Sequence, residues 1–212
     1  MKKFDVKKYN KELLKKYPFL LPRNVWTGLE IPDYDYTYTL ADDIPIGWRA
    51  AFGDLLIEEI NQDLLKNNFV DEYRIMQIKE KYGGLRWYSG GLPRDSKISN
   101  IVHKYEMISE NICIACGKPD VPMIPRGWIS PYCSDCCNKF NRCSKEEYDE
   151  LTADPDDYMI PDSYTVRHFS VDGDWDEIID ISNIANMIRQ RWDDGTILKR
   201  RELLKNLYPT VR

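Results

Sequence analysis

Long apolar runs are absent from this chain of 212 residues. No uninterrupted stretch approaches the roughly 18 apolar residues that span a bilayer. The first nine residues carry charges throughout and lack the apolar centre of a secretory signal. We therefore expect a soluble, cytoplasmic protein with no membrane partner. Its 42% hydrophobic and 12% aromatic residues are typical of a folded chain and exclude a wholly disordered one.

Signatures of catalysis are scarce as well. The chain has two histidines, His103 and His168, and neither begins the His-x-Glu element of nucleic-acid deaminases. It contains neither a Walker-type phosphate loop nor a Gly-x-Ser-x-Gly nucleophile turn. The sequence therefore predicts a protein that is not an enzyme. A zinc-braced nuclease that uses one histidine is the less favoured alternative.

Charge is segregated along the chain, although the net charge is only −5. Residues 1–25 carry +6 and residues 26–63 carry −8, while residues 64–143 carry +4. Residues 144–180 carry −11, and residues 181–212 carry +4. Two acidic segments around a mildly basic middle argue against simple duplex binding. They are either solvated surface or an acidic face for a basic partner.

Two amphipathic helices are predicted in the N-terminal third, over 7–16 and 47–65, from apolar residues at three and four residue steps. Four prolines between residues 18 and 45 favour an extended connection. Within it, alternating Tyr34, Tyr36 and Tyr38 indicate one face of a strand on the core. Alternatively, these tyrosines line a binding groove.

A β-hairpin is predicted next. Alternating residues at 73–78 and 85–88 favour two strands, and Gly83-Gly84 can supply the positive φ of a tight turn. Ser96 is then a suitable N-cap for a helix that leads to the first cysteine.

The last third is predicted to mix helices with a strand. A helix over 145–151 precedes an acidic linker with prolines at 152–162. A strand over 164–171 and helices over 178–192 and 197–207 follow. These elements predict an α+β fold: a small mixed domain with a β-hairpin, amphipathic helices and an embedded zinc-ribbon-like module.

The same pattern divides the chain into four segments. Residues 1–46 form a basic arm and an aromatic extended segment, and residues 47–112 form a helix-hairpin-helix core. The zinc-ribbon-like module occupies residues 113–143. Residues 144–212 form the acidic linker and a C-terminal α/β segment.

Four cysteines carry the strongest chemical signal. Cys113 and Cys116 form one C-x-x-C pair and Cys133 and Cys136 another, separated by sixteen residues. Two residues between paired cysteines allow a tight knuckle to direct both thiolates at one ion, and four thiolates suit tetrahedral zinc. Gly117 permits the left-handed turn that closes the first knuckle. A fully coordinated zinc ion has no open position for catalysis, so the sequence predicts a structural zinc site.

The surroundings of these cysteines leave two questions open. Cys137 stands where a glycine would close the second knuckle, so Cys137 or Cys143 could replace a ligand. Zinc with four thiolates carries a net negative charge, which neighbouring cations could offset if they are more than ordinary surface charge. These cations are Lys118, Arg126, Lys139 and Arg142.

A sequence resemblance covers residues 47–137. In order, the matching features are the segment 77–88 (QIKEKYGGLRWY), a helix, Cys113-x2-Cys116-Gly117, Gly127-Trp128 and Cys133-x2-Cys136. In this combination the chain resembles uncharacterised proteins of phages and prophages. The resemblance implies a small accessory protein of a virus or mobile element, located in the host cytoplasm, with zinc on the matching cysteines. It implies no particular activity.

An accessory protein of this kind is expected to bind a host protein or nucleoprotein complex, for example to inhibit a nucleic-acid-binding defence complex. The acidic segments suit a surface that occupies a basic nucleic-acid site. The alternative is a nucleic-acid-binding regulator that contacts phosphates through Lys79, Lys81, Arg86 and Arg126. Trp128 either contacts the partner or packs the zinc module onto the preceding helix.

Overall fold

The computed structural model describes residues 4–24, 26–92, 96–168 and 174–208. Within these ranges the chain forms helices and three antiparallel two-stranded sheets. This mixture confirms the predicted α+β class. None of the described helices is both long and apolar enough to span a lipid bilayer.

Helix α1 spans Val6–Lys16 and confirms the helix predicted there. Asp5 caps it, because its carboxylate accepts a hydrogen bond from the backbone N–H of Lys8 at 3.1 Å. The helix ends before Pro18, as expected from the restricted conformation of the residue that precedes a proline. A short 3-10 helix, Pro18–Leu20, then buries the next apolar side chains.

The strand predicted over the alternating tyrosines is wrong. Tyr36 has a φ of +63°, outside the strand region. Asp35 accepts hydrogen bonds from the backbone N–H and the hydroxyl of Thr37, at 3.0 and 2.6 Å, which form a turn. The rings of Tyr34 and Tyr36 meet edge to face at 5.0 Å and pack, half-buried, against the core. A 3-10 helix, Leu40–Asp43, follows this loop.

The helix predicted over 47–65 is confirmed. It consists of α2 (Ile46–Trp48), a π-helical turn (Arg49–Gly53) and α3 (Asp54–Lys66), which follow one another without a break. Its buried side follows the predicted spacing of three and four residues. The large, fully buried side chains of this segment are Trp48, Phe52, Leu56, Ile60 and Leu64.

Strands β1 (Arg74–Lys81) and β2 (Gly84–Gly90) form the predicted hairpin. The turn differs by one residue from the prediction. The positive φ angles belong to Tyr82 (54°) and Gly83 (81°), whereas Gly84 is the first residue of β2. An exposed tyrosine therefore occupies a turn position where glycine or asparagine is usual.

Helix α4 (Ile98–Ser109) packs along β2, and its side chains accept hydrogen bonds from N–H groups on the outer edge of that strand. The backbone N–H of Leu85 donates to the hydroxyl of Ser109 at 2.8 Å. The backbone N–H of Trp87 donates to a carboxylate oxygen of Glu106 at 2.9 Å. Helix side chains thus bind edge-strand N–H groups that would otherwise be open to a foreign strand.

The start of α4 lies one residue later than predicted. Lys97 is the N-cap residue, so Ser96 stands just before the cap. The hydroxyl of Ser96 still accepts a hydrogen bond from the N–H of Ile98 at 3.1 Å and donates to Asp63 at 2.8 Å. The serine therefore ties the start of α4 to α3.

The segment after α4 has little regular structure. Strand β3 (Met123–Ile124) pairs with β4 (Ser130–Pro131), and the short helix α5 (Ser134–Lys139) follows. Helix α6 spans Lys145–Leu151 and confirms the helix predicted there. A capping box that begins at Ser144 fixes its N-terminus.

The C-terminal part contains a hairpin and two helices. A 3-10 helix, Pro155–Asp157, interrupts the predicted acidic linker. Strand β5 (Ser163–His168) pairs with β6 (Trp175–Asp180). Helices α7 (Ser182–Asp193) and α8 (Thr196–Leu207) follow, and α8 matches its prediction.

The helix predicted over 178–192 begins too early. It starts at Ser182, and Ile178 lies in β6 with 74% of its surface exposed. Asp180 ends the strand, because its carboxylate accepts the backbone N–H of Ser182 at 2.8 Å. Residues 169–171, predicted as the end of a strand, lie outside the described residues.

One buried cluster runs from Leu14 in α1 to Tyr208 after α8. Two polar contacts reinforce it. The hydroxyl of Tyr208 donates to the side-chain oxygen of Asn10 at 2.5 Å, and Arg49 pairs with Asp42 in the interior. The N-terminal arm, the central helix and the C-terminal helices share this core. The four-segment division stays a prediction, because a shared core does not set domain boundaries.

Gly47 gives a test of how closely the central helix approaches the segment after α4. A methyl group at Gly47 would collide with the carbonyl oxygens of Cys113 and Ile114. We predict that Gly47→Ala lowers the free energy of unfolding by at least about 2 kcal/mol in chemical denaturation. Gly53→Ala in the same helix is the control. Its methyl group would contact the Arg49 side chain at 3.3 Å, so helix propensity offsets the cost to within about 1 kcal/mol. Equal effects of the two substitutions would contradict the close approach.

Candidate metal centre

The first cysteine knuckle is formed by backbone hydrogen bonds. The N–H of Cys113 donates to the carbonyl of Lys118 at 2.8 Å, and the N–H of Gly117 donates back to the carbonyl of Cys113 at 2.9 Å. Gly117 has a φ of +86°, which a residue with a side chain rarely adopts. The predicted role of this glycine is therefore confirmed, and the loop aims Cys113 and Cys116 the same way.

The knuckle lies directly on the helical core. The backbone N–H of Gly47, at the start of the central helix, donates to the carbonyl of Ile114 at 2.9 Å. A methyl group on Gly117 would lie 2.7 Å from the carbonyl oxygen of Gly47 and 2.7 Å from the Cγ2 atom of Ile197 in α8. Gly47 and Gly117 thus allow the first knuckle, the central helix and α8 to pack closely together.

The second knuckle is the beginning of α5. Cys133 is the N-cap residue of that helix, and its carbonyl accepts the N–H of Cys137 at 2.8 Å. Cys136 therefore lies within the first turn. A helical turn here does the work that Gly117 does in the first knuckle, which explains why no glycine is needed after Cys136.

The four predicted cysteines meet in space. The sulfur atoms of Cys113, Cys116, Cys133 and Cys136 all lie within 4.8 Å of one another, and all four residues are buried. The sulfurs of Cys116 and Cys133 are 3.6 Å apart. Tetrahedral zinc thiolates with Zn–S bonds of about 2.3 Å place their sulfurs about 3.8 Å apart. A disulfide would need a sulfur separation of about 2 Å. The cluster thus fits one metal ion.

The electrostatics of the cluster also favour a cation. The hydrogen bond with Cys116 lowers the pKa of Cys113, and the same bond raises the pKa of Cys116. One thiolate is thus stabilised at the expense of its neighbour, because burial and mutual repulsion oppose several negative charges together. A divalent ion removes this conflict, since each thiolate then has a positive partner.

Cys137 and Cys143 lie outside the sulfur cluster. Within the described residues, the group that could hold a metal consists of the four cysteines predicted first. Burial raises the pKa of the Cys137 thiol, and a hydrogen bond with Cys143 adds to the effect. These two thiols therefore face each other, and the geometry does not support either as a replacement ligand.

Contacts from the C-terminal helices hold the centre, and the sequence analysis missed them. Asp120, just after the first knuckle, accepts two hydrogen bonds from the guanidinium of Arg189 in α7, at 2.7 and 2.8 Å. Arg201 in α8 donates to the carbonyl of Ala115 at 2.8 Å. Trp192 packs against the cysteine cluster. Nothing in the spacing of these residues pairs them, so only the fold brings them together.

Two of the cations predicted around the sulfurs, Arg126 and Arg142, have other contacts. Arg126 pairs with Glu147 of α6 at 3.4 Å. Arg142 donates to the carbonyls of Arg126 and Trp128, and its guanidinium lies over the ring of Tyr132. In the described part of the chain, these arginines therefore organise the loop between the knuckles and join it to α6.

The residues predicted to form a binding surface are divided among several places. Lys79 and Arg86 lie opposite each other in the hairpin, and Lys81 stands near its tip. Trp128 is 63% exposed, and its indole N–H donates to Glu80 of β1 at 2.5 Å. The contact seen for Trp128 is thus a hydrogen bond with the hairpin, whereas the sequence predicted packing on the preceding helix.

Comparisons with protein-family models, with curated proteins and with solved structures find no match for this chain. Its function has therefore to be argued from its own residues. The likeness to phage and prophage proteins stays an expectation from the sequence.

Cys136 inside the sulfur cluster and Cys143 outside it give a matched test of the ligand set. We predict that the wild-type protein, purified with zinc in the medium, carries one metal ion per chain by elemental analysis. Cys136→Ser should lose the ion, because a hydroxyl is a poor ligand for a soft site. Cys143→Ser is the control and should keep it. Metal loss in the control, or full retention in Cys136→Ser, would contradict the assignment.

Proposed function

We propose that this is a zinc-containing, non-enzymatic protein that binds a basic host protein through its acidic segment, residues 144–180. The four buried sulfur donors favour zinc, for which such a set is typical. The partner is proposed to be a nucleic-acid-binding protein or complex, and the setting a phage or mobile element that blocks a host defence. The observation that carries the proposal is the different fate of the two acidic segments.

Most carboxylates of the first acidic segment, residues 26–63, form ion pairs within the chain. Six of its nine acidic residues form ion pairs, with partners from the N-terminal arm, the central helix, α4 and the C-terminal helices. The pairs are Lys7–Asp35, Lys16–Glu58, Arg23–Glu30, Arg49–Asp42, Lys104–Glu59 and both Arg191 and Arg200 with Asp54. This segment therefore serves the fold.

The second acidic segment presents most of its charge to solvent in its described part, residues 144–168 and 174–180. Eleven of its thirteen acidic residues are exposed among the described residues, and its two basic residues, Lys145 and Arg167, are exposed too. The eleven are Glu146, Glu147, Asp149, Glu150, Asp154, Asp156, Asp157, Asp162, Asp174, Asp176 and Asp180. Some of these carboxylates cap helices, but capping leaves the negative potential of the surface in place.

The metal centre holds this acidic surface in position. Arg142, after α5, donates its backbone N–H to the carbonyl of Cys137 at 2.9 Å, and the capping box of α6 follows directly. Tyr148 of α6 is half-buried, and burial raises the pKa of its hydroxyl, to which the nearby cysteines Cys133 and Cys137 contribute. The Arg126–Glu147 ion pair adds a second link. Zinc thus acts on function by placing α6.

A basic nucleic-acid-binding surface is the complementary partner. The lysines and arginines of such surfaces attract the phosphates of nucleic acid. A rigid array of carboxylates competes with the phosphates for the same cations. The net charge of −11 on residues 144–180 also accelerates association with a positively charged protein. Inhibition then follows because the partner cannot hold nucleic acid and the acidic surface at once.

The alternative, a regulator that binds nucleic acid through four cations and Trp128, has weaker support. Arg126 is paired with Glu147, while Lys79 and Arg86 lie in the hairpin beside α4. A continuous basic track along a phosphate backbone is therefore not formed by the predicted residues.

The test is a pull-down from nuclease-treated host lysate with two matched triple variants. Asp149→Asn, Glu150→Gln and Asp157→Asn neutralise the acidic surface, and Glu12→Gln, Asp71→Asn and Glu72→Gln remove the same charge elsewhere. We expect one dominant host protein, retained about fivefold less by the first variant and equally by the second. Added wild-type protein should also reduce binding of nucleic acid to that host protein.

An empty pull-down, or equal retention by both triple variants, would overturn the proposal. Circular dichroism and zinc content should be unchanged in both variants, because all six side chains are exposed. Oligonucleotide binding that falls steeply with salt and is weakened by Arg126→Ala would instead favour the regulator, because Arg126 is one of its predicted phosphate contacts.

A further inference from the structure

A cleft of about 930 Å³ lies between the hairpin and α4. Residues of strands β1 and β2 line one side, and residues of α4 line the other. This volume is in the range of sites for small organic ligands. The metal centre and the acidic segment contribute none of its lining residues, so an inference about the cleft stands apart from the proposed function.

The floor of the cleft is apolar and held in place. Trp87 is buried there with Ile98 and Val102 of α4. The indole N–H of Trp87 donates to the hydroxyl of Tyr73 at 2.9 Å, and its backbone N–H donates to Glu106. The two hydrogen bonds and the buried side chains hold the hairpin and α4 in fixed positions on either side of the cleft, so binding costs little reordering.

The hairpin side carries two cations in an unfavourable arrangement. Lys79 and Arg86 are directly opposite each other across the strands, a position where like charges repel. The ammonium of Lys79 turns to the neutral side chain of Gln77 at 2.6 Å. The guanidinium of Arg86 approaches Glu110 only to 3.8 Å. An anion between the two cations would relieve the repulsion, so this side of the cleft favours a negatively charged group.

An exposed aromatic ring stands beside these cations. Tyr88 is 43% exposed at the cleft, and the ammonium of Lys79 lies 5.1 Å from its ring centre. Across the cleft, His103 and Glu106 of α4 offer polar atoms, and burial raises the pKa of Glu106. A flat ring with a nearby cation and polar atoms opposite is the arrangement that accepts a base and its phosphate.

We propose that the cleft binds a nucleotide, with the base against Tyr88 and the phosphate at Lys79 and Arg86. The polar atoms of His103 and Glu106 face the edge of the base. The same chemistry is offered by a free mononucleotide and by one nucleotide of a single strand. The experiment therefore measures binding of both kinds of ligand.

The experiment measures affinity for AMP, for GMP and for a single-stranded deoxyoligonucleotide of about ten nucleotides by calorimetry. Inorganic phosphate is the control ligand, because it lacks a base. Tyr88→Ala and Lys79→Ala are the test variants, and Lys199→Ala, exposed on α8, is the matched control. All three substitutions affect exposed or half-exposed side chains, so thermal unfolding should be unchanged.

We expect at least one nucleotide ligand to bind the wild-type protein and the Lys199→Ala control equally. Tyr88→Ala and Lys79→Ala should each weaken that binding about tenfold. Binding of AMP or GMP identifies a free nucleotide as the ligand, and binding of the oligonucleotide identifies a single strand. The proposal is overturned if no nucleotide ligand binds, if the two variants bind as well as the control, or if inorganic phosphate binds as tightly as the nucleotides.

Discussion

Four sulfur atoms confined within 4.8 Å in a buried cluster are the constraint on which the rest of this structure depends. Burial and mutual repulsion oppose four thiolates together, so the arrangement needs a cation, and the free energy of metal binding becomes free energy of folding. The knuckles also act as an anchor for other segments. The central helix meets the first knuckle at Gly47, α7 reaches it through Arg189, and α8 reaches it through Arg201. A metal ion held by these two short loops would therefore tie the middle of the chain to its end.

The sequence predicts best what depends on local chemistry. The spacing of the cysteines predicted which four sulfur atoms meet in space, and apolar periodicity located the central helix and α8. Prediction failed where a pattern had two physical causes. Tyr34 and Tyr36 alternate because they pack on a loop, and Ile178 continues a helical pattern although it lies exposed in a strand. Contacts such as Arg189–Asp120 join positions 69 residues apart, so no local pattern reveals them.

Charge shows the same distinction between sequence and structure. The two acidic segments look alike as sequence, yet basic residues from four parts of the fold pair with six of the nine carboxylates of the first, whereas eleven carboxylates in the described part of the second are exposed. The cations predicted for nucleic acid divide in a similar way. Arg126 organises the zinc loop and α6, whereas Lys79 and Arg86 line a cleft with an aromatic wall. Charged residues that look equivalent in the sequence therefore have different contacts in the structure.

The central claim is that the metal positions the acidic helix α6, and hydrogen exchange measured with and without a chelator tests it most directly. The account predicts that metal removal deprotects the knuckles at 113–137 and also α6 at 145–151, because Tyr148 and Glu147 lose the surfaces they contact. The hairpin and the central helix should keep most of their protection, since their core is built from buried side chains away from the sulfurs. Unchanged exchange in α6 after verified metal loss would contradict the account.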